Sequence, residues 1–171
     1  GELAAKYSNL HPFDVVIKDG PAFRESDRIC PGKEMVTCNT HEIGHIGFSI
    51  CYDIRFAELY RLMALEGAQI FMVPANFVLN TGKDHWEPLL RARAIENGCY
   101  VIAPGQCGIK PKFPAYGKSL IVDPWGNVIA KASDKPCVIT AEIDLDYLES
   151  VRNQLFTLPN RRDDIYRLTR A

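Results

Sequence analysis

Ile46-Gly47-Phe48-Ser49-Ile50-Cys51-Tyr52-Asp53-Ile54-Arg55-Phe56 is the stretch on which the fold turns. Ile46, Phe48 and Ile50 alternate with Gly47, Ser49 and Cys51, a period of two that predicts a strand. Phe56, Leu59, Tyr60 and Met63 then recur at helical spacing, and Gly67 stops that helix. A thiol therefore stands at the end of a strand and just before a helix. Functional groups gather there in α/β proteins. Cys51 shares its predicted face with a glycine and a serine, which leaves room for a ligand.

Working outward, Gln69-Ile70-Phe71-Met72-Val73 is a short apolar run, as expected of a strand buried on both faces. Asp84 is placed to cap a second helix, with Glu87 completing a capping box and Trp86, Leu89, Leu90 and Ala94 on the apolar face. Gly98 ends that helix. Tyr100 to Ala103 reads as another strand. Residues 119–122 and 128–130 flank the turn Asp123-Pro124-Trp125-Gly126-Asn127 as a hairpin. Val138 to Ile143 reads as a further strand, and Asp144 caps a last helix ending near Asn153. Gly1 to Asn9 reads as a turn plus a strand, followed by a loop to Glu34. The mixture of βαβ units with a hairpin implies an α/β sandwich.

The chain has 171 residues, enough for one domain with a sizeable core, 1–171, with a basic C-terminal arm at 155–171 broken by Pro159. A formal charge of −1 argues against general attraction to nucleic acid or anionic lipid. No apolar run has the length of a membrane span. The six cysteines are scattered, and no leader is visible, which favours reduced thiols and a cytoplasmic setting. The opening Gly1-Glu2-Leu3-Ala4-Ala5-Lys6-Tyr7 reads as the middle of a hairpin, so we expect a domain whose first part lies upstream.

His41-Glu42-Ile43-Gly44-His45 satisfies the H-E-x-x-H pattern of zinc peptidases. That chemistry needs a helix, so that both imidazoles face one metal while the glutamate activates water. Gly44 and Gly47 are poor helix residues, and the strand pattern begins at Ile46. A turn with two solvated histidines is the better reading, and the zinc metallopeptidase stays a remote alternative.

The segment Gly47-Phe48-Ser49-Ile50-Cys51-Tyr52-Asp53-Ile54-Arg55-Phe56-Ala57-Glu58 resembles the nucleophile motif of the nitrilase, or carbon–nitrogen hydrolase, superfamily. The resemblance continues through Pro74-Ala75-Asn76-Phe77, Thr81-Gly82-Lys83-Asp84-His85-Trp86, Tyr116-Gly117-Lys118-Ser119 and Asp123-Pro124-Trp125-Gly126. It covers nearly the whole chain in order, and is nearest to the omega-amidase branch.

This resemblance implies a four-layer α-β-β-α sandwich, here without its N-terminal portion, that pairs as a homodimer. It implies hydrolysis of a small carboxylated amide to acid and ammonia through a cysteine thioester, with no cofactor and no metal. Cys51 matches the nucleophile, and the backbone N–H of Tyr52 the oxyanion donor. Glu25 matches a glutamate that orients lysine and substrate. Arg55, Phe77 and Thr81 fall where substrate is bound. Two departures stand out. Asn9 occupies the position of the family lysine, and the family's first glutamate belongs upstream of Gly1. A second reading follows from them: a non-catalytic relative, or a fragment, that binds a ligand or a partner subunit.

Overall fold

Three apolar stretches too short for helices, Ile70 to Met72 among them, are satisfied only by pairing with one another. A computed structural model describes residues 1–16 and 22–170. Its strands are β1 (Asp14–Val16), β2 (Ala22–Arg24), β3 (Thr37–Thr40), β4 (Gly44–Phe48), β5 (Ile70–Met72), β6 (Tyr100–Ala103), β7 (Cys107–Ile109), β8 (Pro114–Tyr116), β9 (Leu120–Val122) and β10 (Val128–Lys131). The helices are α1 (Ala57–Leu65), α2 (Leu79–Asn97) and α3 (Leu145–Leu155). Six strands form one sheet in the order β10-β9-β6-β5-β4-β3. At its centre β4, β5 and β6 are parallel, with Ile46 beside Ile70 and Ile70 beside Tyr100. Hairpin partners close the sheet antiparallel on both sides. This is the mixed α/β fold expected from the sequence.

The two crossovers, through α1 and α2, step across the sheet in one direction. Crossovers of one hand then place both helices on the same face. The main core lies there: Phe71, Val101 and Val122 from the sheet meet Tyr60, Met63, Trp86 and Leu90 from the helices. Gly47 permits the close approach of α1, since a Cβ there would sit 2.9 Å from the Met63 sulfur. On the other face Ile70, Tyr100 and Leu148 gather with Met72, Ile102 and Ile143. The Asp144 carboxylate caps α3 by accepting from the Tyr147 N–H at 2.9 Å, as its position suggested. Arg152 of α3 donates to the carbonyls of Gly98 and Ala68 at 3.0 and 2.7 Å, tying both loops down.

Several expectations need correction. Helix α2 begins at Leu79, so Asp84 lies inside it and caps nothing. Asn80, Thr81 and Gly82 look like turn residues, but they form the first turn of α2. A Cβ on Gly82 would collide with the Tyr116 side chain, so this glycine lets β8 lie on α2. Arg93 of α2 is buried, with Nε donating to the Ile54 carbonyl at 2.9 Å and Nη1 to Glu96 at 2.7 Å. Residues 1–9 make no strand; within them the Tyr7 hydroxyl donates to Asp53 and the Asn9 carbonyl accepts from Gly32 N–H. Nor do residues 138–143, and Val138 is 89% exposed. The β1–β2 and β7–β8 hairpins and strand β3 were not anticipated. His41 lies in the turn before β4 and His45 within β4, facing Asn39 of β3, so the zinc-peptidase geometry is not formed. Among the described residues no helix is long and apolar enough to cross a membrane.

Gly82→Ala is expected to cost about 1–3 kcal/mol in urea unfolding, because Tyr116 must shift off the helix. Gly1→Ala, where an added Cβ meets nothing within 4 Å, is the neutral control.

Candidate active site

Strand β4 stops at Phe48, and the chain then crosses the ends of the parallel strands. Ser49 N–H donates to the Met72 carbonyl at 3.1 Å, and Cys51 N–H to the Pro74 carbonyl at 2.9 Å. A 3-10 turn follows from Cys51 to Arg55. Cys51 opens it with φ of +48°, in the left-handed region that L-residues avoid. The thiol is therefore not on the strand face shared by Gly47 and Ser49, as the alternation suggested. The turn, not the pleat, aims it.

Asp53 holds this turn in place. Its carboxylate is wholly buried. Oδ2 accepts from Ile50 N–H at 2.8 Å and from the Tyr7 hydroxyl at 2.7 Å. Oδ1 accepts from His11 N–H at 3.1 Å and lies 2.7 Å from His11 Nδ1. The His11 ring also stacks on Phe56, 3.6 Å between centroids and 9° from parallel. Between these two anchors lies Asn9, whose carbonyl accepts from Gly32 N–H at 2.7 Å. Burial, followed by the Asp53 carboxylate, pushes the Tyr7 phenol far above its ordinary range.

The turn opens onto a cavity of about 740 Å³. Asn9, Glu25, Cys51, Tyr52, Phe77 and Thr81, all singled out in the sequence, line it together. Glu25 comes from the 3-10 turn after β2, and its Oε2 accepts from Phe13 N–H at 2.7 Å. Arg55 is the exception. It does not line the cavity; its guanidinium lies over the Tyr52 and Phe77 rings, 5.8 and 5.4 Å from their centroids, and meets His85 at 3.3 Å. Its place at the end of the turn lets it brace two wall residues from behind.

Sequence reasoning missed Arg24, Arg28, Asn76, Gln106 and Lys112, which also line the cavity. Lys112 belongs to the tip of the β7–β8 hairpin, where Pro111 and Pro114 were the available turn signal.

Burial pushes the Cys51 thiol up to about 11. The backbone N–H groups of Asn76 and Tyr52 pull it down, and the carboxylates of Glu25 and Asp53 push it further up. At neutral pH the sulfur is protonated, and an attack through it needs a cation or a base. Asn9 supplies no charge. The arrangement presents an aimed thiol, two backbone donors beside it and a carboxylate close enough to be felt.

Residues 1–153 match the carbon–nitrogen hydrolase family model. A deaminated glutathione amidase from Synechocystis is 45% identical over 163 residues, covering 94% of this chain and 60% of the relative. The crystal structure of the C. elegans NitFhit protein superposes with a TM-score of 0.90 at 46% identity, over 96% of this chain and 40% of that one. That of Saccharomyces cerevisiae Nit3, described as a member of branch 10 of the nitrilase superfamily, superposes at 0.83 with 34% identity, over 97% and 56% of the two chains. The chain thus spans 60% or less of the length of each of these three proteins.

Two outcomes follow from the geometry. Alkylation of Cys51 by iodoacetamide, followed on its peptide by mass spectrometry, rises about tenfold per pH unit from neutrality and levels off only near pH 11. A plateau near pH 8 contradicts this. Asp53→Ala leaves its former donors unpaired and is expected to cost about 3–5 kcal/mol, with faster proteolysis at Lys6.

Proposed function

The chain belongs to the carbon–nitrogen hydrolase family, and on that premise we propose that its cavity hydrolyses small carboxylated amides through Cys51. The sulfur adds to the amide carbonyl, forming the C–S bond and an oxyanion. Tyr52 N–H donates to that oxygen, and Asn9, at the family lysine position, offers a neutral amide donor. The thiol proton passes by way of a carboxylate to the amide nitrogen, the C–N bond breaks and ammonia leaves. Glu25 is the cavity carboxylate whose charge the thiol feels most. Water then splits the thioester and returns the thiol and a free acid.

The observation that carries this reading is the meeting of Cys51, Tyr52, Asn9 and Glu25 in one cavity. Its size falls in the ~300–1,000 Å³ range of small-molecule sites. Arg24, Arg28 and Lys112 in the lining suit a substrate that carries a carboxylate. Deaminated glutathione, the compound in the Synechocystis relative's name, is a carboxylated amide whose cleavage would release an amine in place of ammonia.

The high-lying thiol and the uncharged Asn9 favour a second reading, a site that binds its amide without turning it over. We also read the chain as a cytoplasmic protein pairing with a second copy. Residues 155–171 then serve as an arm along the surface, which the Arg170 contact to Glu66 at 3.2 Å supports.

Ammonia release from succinamate separates the two readings. The wild type is expected to release ammonia, and Cys51→Ala to release none. Asn9→Lys, which replaces a neutral donor by a charged one, is expected to raise the rate about tenfold. If neither the wild type nor Asn9→Lys shows Cys51-dependent release, the binding reading stands instead.

A further inference from the structure

The charged residues of the cavity lining fall into two groups. Arg24, Glu25, Asp27 and Arg28 lie together in and around the 3-10 turn after β2, where two positive and two negative charges offset one another. Lys112 stands apart on the β7–β8 hairpin, in a stretch that holds no acidic residue from Asn97 to Val122. Among the described residues it makes no ion pair, whereas Lys118 of the same stretch pairs with Asp134 at 2.8 Å. Lys112 thus leaves the described lining with one positive charge in excess. The residue is also exposed, so it keeps surface open to whatever enters the cavity it lines.

Local structure fixes where that charge stands. Lys110 N–H donates to the Phe113 carbonyl at 2.9 Å and closes the hairpin tip, while Pro111 and Pro114 restrict the chain on either side. At its base the hairpin is held by Tyr116 N–H, which donates to the Phe77 carbonyl at 2.8 Å. At its tip the Phe113 ring meets Phe23 of β2 edge-on, 5.5 Å between centroids. Phe23 in turn meets Phe13 at 5.2 Å, and Phe13 meets Tyr52, next to the nucleophile, at 5.2 Å. All four ring residues line the cavity. A row of three ring contacts therefore separates the base of the site, where Cys51 and Tyr52 stand, from the tip that carries Lys112.

An ammonium at that distance from the thiol has no part in the bond being broken, but it can hold the far end of the molecule that carries it. We propose that Lys112 is the residue by which this cavity selects amides bearing a carboxylate, its ammonium binding the carboxylate remote from the reacting amide, and that the Phe113–Phe23 contact positions it for this. The inference rests on the reading of this cavity as an amide site and narrows its three cations to one. Arg24 and Arg28 have acidic neighbours in the same turn; Lys112 has none, and a carboxylate ligand supplies the missing charge.

The test compares succinamate with butyramide, which carries a methyl group where succinamate has its carboxylate. Dissociation constants are read by NMR titration of the isotope-labelled Cys51→Ala protein, in which turnover is removed. Succinamate is expected to bind about tenfold tighter than butyramide, with a preference that shrinks as salt is raised. Lys112→Met brings the two within about twofold by weakening succinamate alone, and Lys112→Arg keeps the preference. Phe113→Ala weakens succinamate in the same way while butyramide binds as before, and Phe113→Tyr restores it. Arg28→Gln, which removes a charge from the same lining, keeps most of the preference. Equal binding of the two amides, a preference that survives Lys112→Met, or an equal loss in Arg28→Gln overturns the assignment to Lys112 and leaves the amide site standing. A preference untouched by Phe113→Ala overturns the positioning role of that ring. A protein that binds neither amide overturns both the inference and the amide site.

Discussion

The Asp53 carboxylate, itself without solvent exposure, accepts from the Tyr7 hydroxyl, from the main chain and ring of His11 and from Ile50 N–H. A buried charge with its partners removed costs several kcal/mol, so these groups stay together or come apart as a unit. Two of the three donor residues belong to an N-terminal segment that has no strand pairing of its own. The third precedes the nucleophile. One side chain thus decides both that Asn9 faces the cavity and that the Cys51 turn keeps its shape. The irregular first residues are ordered by electrostatics and not by a sheet.

The sheet supplies the other half of the arrangement. Parallel β4, β5 and β6 end side by side, and the loops after β4 and β5 carry Cys51 and Asn76 across those ends. Ligand sites in α/β proteins form at such carboxyl ends because the loops there are free of the ladder yet anchored by it. Here the anchoring is explicit. Cys51 is bonded to Pro74, and Ala75 is bonded to Pro104 and Gln106. The β1–β2 and β7–β8 hairpins then bring Glu25 and Lys112 into the cavity lining from far along the chain.

Much of this was legible in the residues themselves, and the gaps have physical causes. The central strands and the spacing of α1 follow from apolar periodicity, a local property. Cys51, Tyr52, Asn9, Glu25, Phe77 and Thr81 line one cavity. Asp84 misled because Gly82 looks like a helix breaker, whereas its absent side chain serves Tyr116, many residues away. Arg55 misled because a 3-10 turn replaced the start of a regular helix. Asn76 stood in a quoted motif without a role and Lys112 beside a turn signal, since their places in the cavity depend on contacts that only the folded chain makes.

The backbone at Cys51 carries one more implication. At φ of +48° a cysteine pays a steric penalty that glycine would escape. Cysteine and glycine codons differ by a single nucleotide, so relief is always one mutational step away, and it lies in the direction of greater stability. Position 51 therefore behaves as an evolutionary indicator: in a lineage that no longer needs the sulfur, drift there runs toward glycine.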